Sequence, residues 1–314
     1  MYSLYFPYLR GRQFELIALR ELLEEKRINE KIIPVIEPIN PSSTLLKTIQ
    51  TFSDNNREIA IIFNPAVSDF HKKLQEMRRE GSKIAIALEE LLDSNNSVIK
   101  SYIMDNYAVR EIRSNGDKDK YCIINPDRDC LEDFLEAYES GMPRFTLIPD
   151  DRAFKRVVPD TKVLFEDNFK KRSRNVDYTD KPDEFFSDNH LYYKDEGFIG
   201  FADYSVVGEE FNESGFAPVA VAIHIVYFDE KQQLKIHHFV SDSNEGVEDP
   251  GGKFGEALEK LVKWCSANGV QRTLGLDGFY DCYNFGKYPG LGTVKKYSIM
   301  HHLELISDFL GGKQ

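Results

Sequence analysis

The sequence predicts a (β/α)8 barrel, and three observations support that prediction. Short apolar runs rich in β-branched and aromatic residues, typical of buried strands, recur eight times before residue 204. Stretches with apolar residues at helical spacing separate most of these runs. Strands that alternate with helices pair in parallel through right-handed crossovers, and eight such units match the barrel in count and size. The predicted strands are 4–9, 31–37, 58–64, 98–104, 121–125, 144–149, 161–166 and 197–203.

An open, doubly wound sheet is the alternative, because it shows the same alternation of strands and helices. The choice between the two depends on the strand count. The count is least defined in residues 81–105, where GSKIAIALEELL is compatible with an extra strand or with a continuing helix. An extra strand there would weaken the barrel prediction.

The predicted helices between the strands differ in strength. The first has its apolar residues at helical spacing between residues 14 and 23. Ser42 or Ser43 is the expected N-cap of the second helix, and Asp69 is the expected N-cap of the third. The connections after strands four, six and seven have a weaker helical pattern, in residues 107–120, 153–158 and 182–189.

The pattern changes after residue 203. Residues 216–228 and 234–240 are two apolar runs separated by DEKQQ, which predicts an antiparallel hairpin. An amphipathic helix follows and ends at Gly269, and the tail predicts a glycine-rich loop and a closing helix. The predicted organisation is one domain over residues 1–314, with a hairpin and loop insertion at 205–252 and closing helices in 253–314.

Composition restricts the class of protein. The formal net charge of -12 over 314 residues argues against broad attraction to nucleic-acid phosphates or anionic lipid. No run approaches the length of about 18 apolar residues that marks a membrane span, and no secretion leader is evident. The four cysteines are scattered without a CxxC pair, so reduced structural thiols are expected. These features predict a cytoplasmic protein.

Polar side chains follow the predicted strands where each strand ends. In barrel enzymes the residues just past the carboxyl ends of the strands converge on the face that holds the active site. Arg10 and Arg12 follow strand one, Glu37 ends strand two, and Glu166 and Asp203 end the strands that close the barrel beside strand one. We therefore predict Glu37, Glu166 and Asp203 as catalytic candidates and Arg10 and Arg12 as ligand-binding candidates.

Two interpretations of this cluster stay open. A carboxylate at Glu37, at the end of IIPVIEP, needs a partner because burying it alone is costly, and Arg10 or Arg12 is the expected partner. Glu37 is therefore either half of a structural ion pair or a site residue. Three neighbouring carboxylates also suit Mg²⁺, which prefers oxygen ligands, or a general acid/base pair.

A second candidate site lies before the amphipathic helix. Gly251, Gly252 and Lys253 precede the helix, and free backbone N–H groups with the helix dipole would favour an anion there. The segment lacks the full phosphate-loop pattern, so an ordinary helix start is the alternative. His224 and His238 lie in the hairpin, where structural roles are expected rather than a zinc site.

The motif YFPYLRGRQFELIALREL resembles the start of the "beta protein" family of bacterial and phage proteins. The segments IIPVIEP, FADY and IHHFVSD, with the helix after them, are also similar to that family. The resemblance covers most of the chain but implies no activity and no catalytic residues. Because members tend to lie in mobile elements beside a gene for a restriction-type nuclease-like protein, it implies a context of phage defence and a protein partner.

The sequence supports two functional hypotheses. The first is an enzyme-like barrel site for a small anionic ligand that carries phosphate or carboxylate, bound by the arginines and the Gly251–Lys253 turn. The second is a non-catalytic protein that binds and regulates a partner such as a nuclease, since an acidic protein suits a basic, nucleic-acid-binding surface.

Overall fold

The structure is a computed structural model that describes residues 3–212 and 219–312. Eight parallel strands form a closed barrel in chain order, which confirms the predicted (β/α)8 fold. Strands and helices are numbered here along the chain. The barrel strands are β1 (Leu4–Leu9), β2 (Val35–Ile36), β3 (Ile59–Ile62), β4 (Val98–Ile103), β5 (Cys122–Ile124), β6 (Phe145–Ile148), β7 (Lys162–Glu166) and β9 (Gly200–Asp203).

Closure of the barrel occurs between β1 and β9. Tyr5 pairs with Phe201 across this seam, and on the other side of β9 the strand-end carboxylates Glu166 and Asp203 are direct neighbours. Because β1 also pairs with β2, the sheet has no free edge here, and the open-sheet alternative is wrong. The barrel interior is filled by alternate side chains of its strands, among them Phe6, Val35, Leu147, Val163 and Ala202.

Helices connect most of the barrel strands. Ser42 accepts a hydrogen bond from the Leu45 amide at 3.1 Å, as expected for an N-cap, whereas Asp69 makes no side-chain cap bond. Residues 83–94 are helical, so the ambiguous segment adds no strand. The helices are α1 (Gln13–Glu24), α2 (Ser43–Asp54), α3 (Phe70–Arg79), α4 (Lys83–Ser94), α5 (Asn106–Ser114), α6 (Leu131–Ala137) and α7 (Arg152–Val157).

A three-stranded antiparallel sheet stands beside the barrel, in the order β10 (Ala222–Phe228), β11 (Leu234–Val240) and β8 (Asp183–Ser187). The predicted hairpin is confirmed, although residues 216–218 lie outside the described residues. The helical expectation for 182–189 is wrong, because DEFFS alternates as a strand does, with Glu184 and Phe186 buried and Phe185 41% exposed. The sheet therefore takes one strand from before residue 205.

The C-terminal helices join this sheet to the barrel. They are α9 (Pro250–Asn268), α10 (Leu274–Phe285) and α11 (Leu291–Gly311), while the short α8 (Asn189–Tyr192) lies between β8 and β9. Helix α9 ends at Gly269 as predicted, while α10 was not expected from the sequence. Helix α11 packs against α1, α10 and β10, so it positions the small sheet relative to the first barrel unit. Within residues 3–212 and 219–312 no helix is long and apolar enough to cross a membrane.

Candidate functional site

The Arg10–Arg12 corner between β1 and α1 is a tight turn held by its own backbone. Gly11 has φ +63°, and a Cβ there would lie 3.1 Å from the carbonyl oxygen of Glu37. Oε2 of Glu15, in the first turn of α1, accepts hydrogen bonds from the amides of Arg10 at 2.8 Å and Arg12 at 3.4 Å. The glycine and the glutamate explain why strand and helix meet within three residues.

Glu37 is completely buried and is surrounded by donors. Oε2 accepts hydrogen bonds from the Tyr8 hydroxyl at 2.8 Å and from Arg10 Nη1, and Oε1 accepts from the amides of Ala66 at 2.7 Å and Val67 at 3.1 Å. The predicted ion pair with Arg10 is therefore confirmed. Four donors on one carboxylate compensate its burial and join the ends of three barrel strands.

The two arginines also hold the loop that follows β9. Arg10 Nη2 donates to the carbonyl of Glu209, and the Arg10 guanidinium lies 5.1 Å from the Tyr204 ring centroid. Arg12 donates to the carbonyl of Asn212 and lies over the ring of Phe211. Both guanidinium groups therefore bind the protein's own backbone.

Asp203 and Glu166 occupy separate hydrogen-bond networks. The Tyr5 hydroxyl and the Ser205 amide each donate to Asp203 Oδ1 at 2.7 Å. Burial raises the pKa of Asp203 to about 6, and burial also raises the pKa of the neighbouring Asp167. Glu166 accepts from the Asn189 side chain at 2.9 Å. In the described part of the chain neither Asp203 nor Glu166 forms an ion pair with Arg10, unlike Glu37.

Gly251, Gly252 and Lys253 lie in the first turn of α9 and not before the helix as predicted. The Gly252 amide donates to Oδ1 of Asp249 at 2.8 Å, so the helix start is capped by the protein's own carboxylate. Lys253 is buried, and its Nζ donates to the carbonyls of Val219 and Gly246, each at 2.8 Å. Among the described residues no group of three or more His, Cys, Asp or Glu side chains is arranged to hold a metal ion.

A cavity of about 270 Å³ lies between the loops after β7 and β9, the small sheet and α11, and we call it the rim cavity. The segments that form it come from four separate parts of the chain. Its polar and ionisable lining consists mainly of Lys171, Arg172, Tyr178, His224, Lys295 and Ser298.

The cations that line the rim cavity differ in how closely a carboxylate approaches them. Arg172 pairs with the buried Glu184 at 2.7 Å. Lys295 has a single carboxylate nearby, Oε1 of Glu15 at 3.4 Å, and its side chain is 37% exposed. Burial lowers the pKa of Lys295, the carboxylate of Glu15 opposes that shift, and the positive charges of Arg12 and Lys171 add to it. Lys171 lies 3.4 Å from a carboxylate oxygen of Glu210, so each of the three cations has one carboxylate partner, and Arg172 shares Glu184 with Lys181.

Two histidines meet at the wall of the rim cavity. His224 on β10 pairs across the hairpin with His238 on β11, and their Nδ1 atoms are 2.7 Å apart. Nε2 of His238 lies 3.6 Å from Oε1 of Glu184. Burial lowers the pKa of both histidines, that of His238 to about 4, so both rings are neutral near pH 7.

Sequence reasoning missed this group, although one signal pointed to it. The predicted strands end at residue 228 and resume at residue 234, so pairing outward from that turn places residue 224 opposite residue 238. Tyr178, Lys171 and Lys295 come from other segments, and no local pattern indicates their meeting.

Fold and site together define the class of protein: a (β/α)8 barrel with an added antiparallel sheet and a cationic cavity at its rim. Comparison of this chain with protein-family models, with curated proteins and with solved structures finds no match.

Proposed function

We propose that this barrel binds a small anionic ligand in the rim cavity. The observation that carries the proposal is the grouping of Lys171, Arg172 and Lys295 around one cavity, with a single nearby carboxylate for Lys295. Cations grouped around one cavity repel one another, and an anion that enters the cavity reduces this repulsion.

The position of the cavity supports the same function. Barrels often hold phosphate at the loops after their seventh and eighth strands. In this chain those strands are β7 and β9, and the cavity is lined by Phe169 and Lys171 from the first loop and by Val206 and Val207 from the second. The proposed site thus lies at the strand ends, as expected from the sequence. Its cations are Lys171, Arg172 and Lys295 rather than Arg10 and Arg12.

Catalysis by Glu37, Glu166 or Asp203 stays a prediction, as does Mg²⁺ binding. Asp203 has the property closest to a proton-transfer group, because a carboxyl with a pKa of about 6 exists in both protonation states near neutral pH. It is 2% exposed, so a reacting ligand would need the loop after β9 to open.

Titration with inorganic phosphate tests the anion site. We expect saturable binding by calorimetry and a rise in melting temperature, because a ligand that binds only the folded state stabilises it. Lys295→Met should weaken phosphate affinity about tenfold, as expected for the loss of one charge-assisted contact of about 1.4 kcal/mol.

Lys47→Met is the matched control for this experiment. It makes the same change of charge in the exposed part of α2 and should leave phosphate affinity unchanged. Equal loss in the two variants would show a nonspecific effect of net charge, and no saturable binding to the parent protein would contradict the site.

We also propose a context of bacterial and phage conflict, on the strength of the family resemblance described above. Regulation of a nuclease-like partner is the second candidate function. One observation favours it: α10 ends in Tyr283 and Phe285, which are 43% and 79% exposed. Co-expression with the neighbouring gene product should yield a complex that Phe285→Ser weakens, and failure of the two proteins to co-elute would contradict this function.

A further inference from the structure

The histidine pair in the rim cavity has one favoured arrangement of protons. A neutral imidazole carries a single N–H, so one Nδ1 in the 2.7 Å contact between His224 and His238 donates and the other accepts. The ring nitrogens not used in this contact are Nε2 of His238, which faces Glu184, and Nε2 of His224.

The charge of Glu184 determines which of the two Nδ1 atoms carries the shared proton. Arg172 at 2.7 Å, with Lys181 at 3.4 Å, keeps Glu184 ionised, and an ionised carboxylate only accepts hydrogen bonds. The proton of His238 is therefore on Nε2, towards Glu184, because a lone pair there would face a negative oxygen. Nδ1 of His238 then accepts, Nδ1 of His224 donates, and Nε2 of His224 carries a lone pair.

This lone pair belongs to a side chain that lines the cavity. His224 is partly exposed there, and Lys295 is close enough to lower the pKa of its ring. The described lining of the cavity thus includes the cations Lys171, Arg172 and Lys295, the hydroxyls of Tyr178 and Ser298, which donate or accept, and the His224 lone pair, which only accepts. An acceptor next to an anion is repulsive unless the anion itself carries a proton.

We infer that the rim cavity selects an oxyanion that keeps one O–H group, such as hydrogen phosphate or the singly charged form of a phosphate monoester, with His224 Nε2 accepting that hydrogen bond. His238 and Glu184 are positioning residues, which hold the His224 ring with its lone pair towards the ligand. This inference deepens the proposed function and rests on it, since it concerns the ligand of the same cavity.

Phosphate and sulfate form a charge-matched pair for the test. At a pH where phosphate is the hydrogen-phosphate dianion, both ions carry two negative charges and only phosphate has a proton. We expect phosphate to bind the unmutated protein at least about tenfold more tightly than sulfate, the factor for leaving one acceptor unpaired. Equal affinities, or tighter sulfate binding, would overturn the inference while leaving the anion site in place.

If neither ion binds, the proposed function fails and the inference fails with it. Methyl phosphate separates the two sources of the ligand. Below about pH 6 it is singly charged and keeps an O–H, so it should match the singly charged dihydrogen phosphate at the same pH if the cavity takes esters, whereas selective binding of inorganic phosphate would identify the free ion.

Two further measurements isolate the histidines. His224→Leu should lose the preference for phosphate and retain sulfate binding, while His237→Leu, on the opposite face of β11, should retain the preference. Side-chain nitrogen chemical shifts of the unmutated protein should show His224 protonated at Nδ1, and Glu184→Gln should shift that tautomer ratio. Protonation of His224 at Nε2 in the unliganded protein would overturn the inference even if a variant failed to fold.

Discussion

The Arg10–Glu37 corner and the rim cavity both lie at the carboxyl ends of the barrel strands, but the protein compensates their charges to different degrees. At the corner, one buried carboxylate receives four donors from the protein itself. In the rim cavity, Lys295 has one carboxylate partner at 3.4 Å, and His224 lines the cavity. The charged cluster at the corner is therefore a closed structural network, whereas the rim cavity is the region proposed to bind a ligand.

Glu37→Gln should produce the largest loss of stability and so sharpen this comparison. The substitution leaves the buried Arg10 guanidinium without its counter-charge, which costs about 3–5 kcal/mol. Denaturant unfolding measures the loss, and phosphate affinity should be unchanged in the folded protein. Glu259→Gln, which breaks the exposed pair with Lys263, is the control and should leave stability nearly unaltered. A small loss of stability from Glu37→Gln would contradict the structural role of the ion pair at the corner.

Asp203→Asn should have the next largest effect, and the effect depends on pH. Because the folded state raises the pKa of Asp203 from 3.8 to about 6, it binds the proton more tightly than the unfolded state does. This group therefore stabilises the fold below about pH 4 relative to neutral pH, and that contribution is lost as the pH rises to about 6.

Asparagine does not ionise, so the variant should not lose this stability as the pH rises. Its stability relative to the parent protein should increase from acid to neutral pH by up to about 3 kcal/mol, at about 1.4 kcal/mol per unit of pKa. Denaturant unfolding at several pH values measures the slope. The exposed Asp160→Asn is the control, and parallel curves for the parent and Asp203→Asn would refute the raised pKa.

Gly11→Ala should have the smallest of these effects, and it tests how the corner is built. Gly11 and Gly81 both have positive φ, which costs about 1–2 kcal/mol for an L residue, but only Gly11 has a backbone oxygen 3.1 Å from the added Cβ. Gly11→Ala should therefore lower the melting temperature more than Gly81→Ala. Equal shifts would mean that the contact with Glu37 is readily relieved.

Much of the fold was predictable because the signals are local. The run 4–9 coincides with β1, and all seven other barrel strands lie within their predicted runs. Strand β8 was missed because Phe186 is the one buried apolar residue of its DEFFS segment. Its partner strand, β11, lies about 50 residues later in the chain. Helix α10 was missed because its glycines, which contact Tyr297 and Met300 closely, obscure its helical pattern.

The candidate site was predictable only in part. Burial of a carboxylate at the end of an apolar run required a partner, and the expected ion pair of Glu37 with Arg10 is present. The rim cavity draws on Lys171, Tyr178, His224 and Lys295, which are separated by tens of residues. Their meeting depends on how the small sheet packs against the barrel, and no periodicity in the chain encodes that packing.

The sequence by itself determined the barrel, because eight alternating apolar runs and helices can bury their surfaces in few other ways. It also determined that the motif arginines stand at a strand end. Only the tertiary structure decided what those arginines meet, since their partners at Glu209 and Asn212 are about 200 residues away. Compensation of charge is a long-range property, and in this protein it separates a structural corner from the cavity proposed to bind a ligand.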